Sequence, residues 1–169
     1  TAKDVAKHSE KGAAGVVVAH GTDTLGYTAA ALSFALQDLP APVIMVASQR
    51  SADRPSSDAA TNLIGAVKAA ANAPFAEVVV AMHETVSDSS TVFHRGTKVR
   101  KCHTSRRDTF KSVNVTPLAR MENEKIKMLV EDYRERNPSR KLNLKPDFDE
   151  RVALTKFYPG LNPRIIERY

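Results

Sequence analysis

The sequence predicts an α/β fold, a mostly parallel sheet flanked by helices. Three observations carry that expectation. Short apolar runs rich in valine and alanine, at residues 14–19, 43–47 and 77–82, have the composition of strands covered on both faces. The stretches between them, residues 24–37 and 58–72, are alanine-rich and of helical length. The order strand, helix, strand, helix, strand calls for parallel neighbours joined by crossovers. With 169 residues, 42% of them hydrophobic, the chain has enough apolar surface for a real core. No apolar run approaches the ~20 residues that a membrane-spanning helix needs.

Taken in order, Ala2, Val5 and Ala6 give a short helical face, and Gly12 is placed to stop that helix. Residues 14–19 form the first buried strand. In the helix over 24–37, Ala30, Leu32, Phe34 and Leu36 are expected to face the core, with Pro40 and Pro42 ending it. Residues 43–47 form the second strand, residues 58–72 the second long helix with Asp58 as its cap, and residues 77–82 the third strand. Residues 83–101 read as a polar cluster after that strand. Short strands are expected at 109–113 and 125–130. Residues 131–150 are charged, contain Pro138 and Pro146, and read as a linker. Residues 151–157 read as a new strand, followed by Pro159-Gly160 and a helix starting at Asn162-Pro163. The expected division is therefore a first domain over 1–130, a linker over 131–150, and the truncated start of a second α/β domain over 151–169.

The charge is unevenly spread. Residues 1–94 hold 6 Lys/Arg against 9 Asp/Glu, whereas residues 95–169 hold 19 against 10, for a net +6. Seven of those bases (Arg95, Lys98, Arg100, Lys101, Arg106, Arg107 and Lys111) lie within residues 95–111, with Asp108 the one acid. Such a cluster suits a phosphate backbone or an acidic protein face, or else it is a solvated loop. The single cysteine, Cys102, excludes a disulfide framework within these residues and is expected as a small buried apolar residue. The N-terminus lacks the pattern of a signal peptide, so the cytoplasm is the expected compartment.

In open α/β sheets ligands bind beyond the carboxyl ends of the strands. The polar clusters at 20–24, 48–58 and 83–101 are therefore the candidate site. Gly21-Thr22-Asp23-Thr24 sits between a strand and a helix N-terminus, where free N–H groups suit a carboxylate or an oxyanion. By residue type alone, Thr22 and Asp23 read as helix-cap residues rather than as catalysts. His20 reads as structural. His8, His83, His94 and His103 show no metal-ligand spacing, so no metal site is expected.

His20-Gly21-Thr22-Asp23-Thr24 before an Ala-rich helix resembles an active-site motif of the bacterial-type L-asparaginase family. Residues 49–60 (QRSADRPSSDAA) and 100–108 (RKCHTSRRD) resemble one branch of it, the D subunits of archaeal glutamyl-tRNA(Gln) amidotransferases. Phe157-Tyr158-Pro159-Gly160 resembles the start of the family's second domain. The resemblance implies the fold of the asparaginase N-terminal domain and a catalytic triad of Thr22, Asp23 and Lys101. Lys101 is placed by the match across residues 99–112. A threonine hydroxyl needs a neighbouring base before it reacts, and a lysine serves once it can give up its own proton. The family's other threonine, in a Thr-Gly-Gly-Thr motif, has no counterpart in these residues, so the chain alone is expected to be inactive. Ala47 and Glu84 stand where the family usually has glycine.

The implied activity is release of ammonia from glutamine, for conversion of Glu-tRNA(Gln) to Gln-tRNA(Gln) by a partner, the E subunit of the amidotransferase. ATP and magnesium belong to that partner, with no cofactor or metal in this chain. The implied assembly is a homodimer within a heterotetramer, with no membrane. Two alternatives are a free-standing L-asparaginase, with asparagine as substrate, and a non-catalytic module that binds tRNA or protein.

Overall fold

A computed structural model describes residues 1–168. Its main sheet has six strands. In spatial order they are β1 (Val16–Ala19), β3 (Val43–Val46), β4 (Val78–His83), β5 (Ser90–Arg95), β8 (Ala119–Glu122) and β9 (Lys125–Met128). Two small ribbons complete the set: β2 (Leu36–Gln37) with β10 (Asn143–Leu144), and β6 (Val99–Lys101) with β7 (Phe110–Ser112). Three helices, α1 (Ala2–Glu10), α2 (Leu25–Ala35) and α3 (Ala59–Asn72), accompany them. The α/β class is as expected. The sheet is parallel from β1 through β3 to β4, but β5, β8 and β9 run antiparallel to their neighbours, so it is mixed rather than mostly parallel.

Alternation along the central strands divides the core in two. Val43, Met45, Val78, Val80 and Met82 face α2, together with Leu25, Ala29, Leu32 and Leu36. Ile44, Val46, Val79, Ala81 and Phe93 face the small residues Ala66, Ala69 and Ala70 of α3. Both β3 and β4 are buried along their full length, which is why they read as unbroken apolar runs.

Several expectations need correcting. β1 is only half-buried, because it lies at the edge of the sheet with one neighbouring strand. On α2 the inward stripe is Leu25, Ala29 and Leu32, at helical spacing, so Phe34 falls on the opposite face and is 61% exposed. The helix stops at Ala35, and Leu36 belongs to β2. The polar stretch after β4 contains two strands, β5 and β6, and β8 also went unread in the sequence. Residues 151–157 form no strand. Val152, Leu154 and Phe157 are exposed, because no strand among the described residues lies alongside to complete their hydrogen bonds. A 3-10 turn at Pro163–Arg168 stands where the last helix was expected.

Residues 131–140 dock along the end of the sheet opposite the strand carboxyl ends. Ala76 N donates to the Arg134 carbonyl (2.7 Å) and Arg136 N to the Pro74 carbonyl (2.7 Å). The Arg136 guanidinium donates to the carbonyls of Ala14, Ala70 and Ala71, tying β1 to the end of α3. No helix among the described residues is long and apolar enough to cross a membrane.

Candidate active site

The carboxyl ends of β1, β3 and β4 open onto one edge of the sheet, and the loops that follow them meet the β6–β7 ribbon there. Close contact with α2 sets the ribbon's position. A Cβ on Gly26, in the first turn of α2, would stand 3.2 Å from the Val99 carbonyl, so helix and strand run nearly backbone to backbone. Two residues beyond Val99, Lys101 extends past the start of the helix. Its Nζ donates to Thr22 Oγ1 at 2.8 Å and to Asp23 Oδ1 at 2.8 Å, across nearly eighty residues of chain.

The three residues singled out in the sequence are thus in mutual contact. Thr22 and Asp23 do not cap α2: the N-cap position is Thr24, and it makes no side-chain cap bond. The Lys101 side chain is 18% exposed, whereas that of Asp23 is 92% exposed. The hydrogen bond from Lys101, helped by its charge, holds the Asp23 carboxyl below the ordinary carboxylate range. Solvent screens the outer side of this pair, so its meaning is geometric more than energetic. Beside a threonine hydroxyl, a lysine can give a proton as the ammonium or take one as the neutral amine, with the adjacent carboxylate to orient it. The outward carboxylate is free to receive a cationic group.

His20 behaves as a structural residue. Its Nδ1 lies 2.7 Å from the Gly21 carbonyl and its Nε2 lies 3.0 Å from Thr28 Oγ1, bracing the turn that carries Thr22. Cys102 is exposed, contrary to the expected burial, because it begins the loop where the ribbon leaves α2. The basic cluster is largely neutralised inside the fold. Arg95 pairs with Glu77, Lys101 with Asp23, Arg106 and Lys111 with Asp108, and Arg107 with Asp88. Of the seven, Lys98 and Arg100 remain without an ion pair among the described residues.

Sequence reasoning missed the buried polar groups beneath this edge. Asp58, Asn62 and His83 are fully buried. Asp58 stands at the N-cap position of α3, yet its carboxylate makes no cap bond and turns back to the preceding loop. It accepts the backbone N–H groups of Gln49 (3.0 Å) and Arg50 (2.9 Å). Asn62 Nδ2 donates to Asp58 Oδ2 and to the Ala47 carbonyl, both at 3.0 Å, and Asn62 Oδ1 lies 2.6 Å from His83 Nδ1. The one available signal was the Asp58/Asn62 spacing, which puts both on one face of a helix. Among the described residues, no three His, Cys, Asp or Glu side chains lie close enough to hold a metal ion.

Known proteins share this architecture. The chain is 54% identical over 168 residues to the D subunit of the glutamyl-tRNA(Gln) amidotransferase of Pyrobaculum aerophilum, covering 98% of the chain and 40% of that relative. It is 55% identical over 167 residues to the protein of the same name from Pyrococcus horikoshii, covering 38% of it. The chain therefore spans about two fifths of the length of these curated relatives. Among solved structures, L-asparaginase I of Vibrio cholerae superposes on 99% of the chain and 48% of its own, at 32% identity and a TM-score of 0.81. The L-asparaginase of Thermococcus kodakarensis matches at 27% identity and a TM-score of 0.80, over 50% of that protein. Residues 1–134 match the family model described as "Asparaginase, N-terminal", and on that coverage the chain belongs to the asparaginase family.

Proposed function

We propose that this chain is part of an amidohydrolase subunit that releases ammonia from glutamine for a tRNA-dependent amidotransferase. The observation that carries the proposal is the contact of Lys101 Nζ with both Thr22 Oγ1 and Asp23 Oδ1. In this reading Thr22 takes the proton of the attacking nucleophile while its own passes to the neutral Lys101 amine. The nucleophile bonds to the amide carbon, and the C–N bond breaks as the proton returns by the same route to the departing ammonia. Asp23 orients the lysine and pairs with the substrate's α-ammonium. The Thr-Gly-Gly-Thr nucleophile implied by family resemblance has no counterpart in these 169 residues and would come from elsewhere in the protein. The relatives are named as D subunits of glutamyl-tRNA(Gln) amidotransferase, which supports a place in such an assembly. By the family resemblance the ammonia would pass to a partner subunit that would carry ATP and magnesium and convert Glu-tRNA(Gln) to Gln-tRNA(Gln), in the cytoplasm. Residues 131–150 would then join the domain over 1–130 to a second domain beginning at 151. The L-asparaginase likeness favours asparagine as a second substrate of the same centre.

Ammonia release by the full-length protein, assayed with glutamine and with asparagine and with its partner and tRNA present or absent, tests the proposal. Glutamine hydrolysis stimulated by the partner is expected. Preference for asparagine with indifference to the partner would replace it with the free-standing asparaginase.

A further inference from the structure

Beyond Lys101 the chain forms a loop, residues 102–109, before returning as β7, and this loop is held from two sides. Gln49 Nε2 donates to the carbonyls of Arg106 (2.9 Å) and Thr104 (3.3 Å). The Arg107 guanidinium donates to Asp88 Oδ1 at 2.7 Å. The two anchors are joined underneath. Asp88 Oδ1 lies 2.8 Å from His83 Nε2, His83 Nδ1 lies 2.6 Å from Asn62 Oδ1, Asn62 donates to Asp58, and Asp58 accepts the Gln49 backbone N–H. The path runs through Gln49, Asp58, Asn62, His83, Asp88 and Arg107, and the Arg106–Arg107 peptide closes it into a ring. It ties together the loops after β3 and β4 and the loop that follows Lys101.

The ring has a definite hydrogen-bond pattern. Asn62 Nδ2 faces two acceptors, the Ala47 carbonyl and Asp58, which fixes the amide with Oδ1 toward His83. His83 then has an oxygen within hydrogen-bond distance at each ring nitrogen. A buried carboxylate and a buried imidazole are costly unless every polar atom is paired, and here each is paired. The hydrogen bond from His83, with the Arg107 charge as a smaller cause, keeps the Asp88 carboxyl below its ordinary range.

The geometry points to Gln49, His83, Asp88 and Arg107 as positioning residues that hold the loop after Lys101, and through it the lysine, in reach of Thr22. This rests on the amidohydrolase reading for its catalytic arm. A lysine stem is flexible, and a shift of about 1 Å in a reacting group costs on the order of 100-fold in rate. Holding the backbone on both sides of Lys101, with α2 before it and the ring after it, meets that need.

The test uses the full-length protein with Gln49→Ala, Gln49→Glu, Arg107→Ala and Arg107→Lys. Two readouts separate the loop from global stability: backbone hydrogen exchange of residues 102–109 compared with that of β4, followed by mass spectrometry, and the split of glutaminase kinetics into kcat and KM. The N–H groups of Cys102, His103, Ser105 and Arg106 are hydrogen-bonded within the loop, so their exchange reports its opening. Gln49→Glu has the shape of the original but cannot donate to the two carbonyls, so it should match Gln49→Ala. Both should exchange several-fold faster over 102–109 with β4 unchanged and lose about tenfold in kcat, with KM changed by less than about threefold. Arg107→Lys keeps a cation for Asp88 and should recover part of the loss seen in Arg107→Ala. Unchanged exchange over 102–109 in Gln49→Ala and Arg107→Ala, or a Gln49→Glu protein that behaves as the original, would overturn the ring. Failure of the amidohydrolase reading shows elsewhere, as full activity in Lys101→Arg, and leaves the exchange rates to decide the ring.

Discussion

Gly96 lies directly against the backbone of Ala29. A Cβ built at Gly96 would stand 2.8 Å from the Ala29 carbonyl oxygen and 2.6 Å from Ser33 Oγ, so α2 rests on the turn between β5 and β6 with no room for a side chain. This contact and the one at Gly26 set the height of the ribbon, and hence where Lys101 points. Gly96→Ala should therefore destabilise the domain by about 2 kcal/mol, the scale of overpacking against a backbone that cannot yield. Thermal unfolding measures the loss. Gly26→Ala meets only a 3.2 Å contact and should cost less.

Asp58 is fully buried and gathers three N–H donors, so removing it takes an acceptor from each. Asp58→Ala should lose about 3 kcal/mol of stability, the scale of hydrogen bonds to a buried charge together with their unsatisfied partners. The loop over 49–57 should open with it. Limited trypsin digestion should then show faster cleavage after Arg50, which is exposed but held by its hydrogen bonds with Asp58, Pro55 and Ser57. An Asp58→Ala protein with unchanged cleavage at Arg50 would mean that the carboxylate does not order the loop.

His94 brings a pH dependence of its own. It is 2% exposed, its Nδ1 lies 2.8 Å from Ser112 Oγ, and its Nε2 has no partner among the described residues. Burial, with the nearby Lys111 charge adding to it and Glu84 opposing it, lowers its pKa from 6.5 to about 4. Between those values the unfolded chain binds a proton that the folded chain refuses. His94 therefore contributes fully to stability above about pH 6.5, and that contribution fades as pH falls to about 4. The difference amounts to about 3 kcal/mol at 1.36 kcal/mol per pKa unit. Denaturant unfolding from pH 7 to pH 4 should show this loss, and His94→Gln should flatten it. The lowered carboxyls of Asp23, Asp88 and Asp108 act in a lower window, below their ordinary values near 3.8, and leave the His94 window distinct.

The sequence made the parallel half of the fold legible because β3 and β4 are buried on both faces and read as unbroken apolar runs. The antiparallel half was harder. β5 buries Ser90, Thr91 and His94 beside Val92 and Phe93, so its pattern resembles a polar loop although the strand is internal. The alanines of α2 hid which face is inward, and Phe34 was placed on the wrong side. Residues 151–157 have strand composition, but a strand forms only where another lies beside it. For the candidate site, motifs resembling those of the family picked Thr22, Asp23 and Lys101 from segments far apart in the chain, and Lys101 is in hydrogen-bond contact with the other two. The ring through His83 was not legible, because its members are single polar residues on different elements. Only the packing of α3 against β4 brings them together.

The most direct measurement compares Lys101→Arg with Lys98→Arg and Lys111→Arg in the full-length protein. Lys98 has no ion pair among the described residues, and Lys111 pairs with Asp108 in a way an arginine can keep. Arginine at 101 retains the charge toward Asp23 but stays protonated and cannot relay a proton for Thr22. Lys101→Arg should lose glutamine hydrolysis by about 100-fold or more with the fold intact, while the other two should stay within a few-fold. Equal losses at all three positions, or full activity in Lys101→Arg, would contradict the assignment of Thr22, Asp23 and Lys101 as the working group.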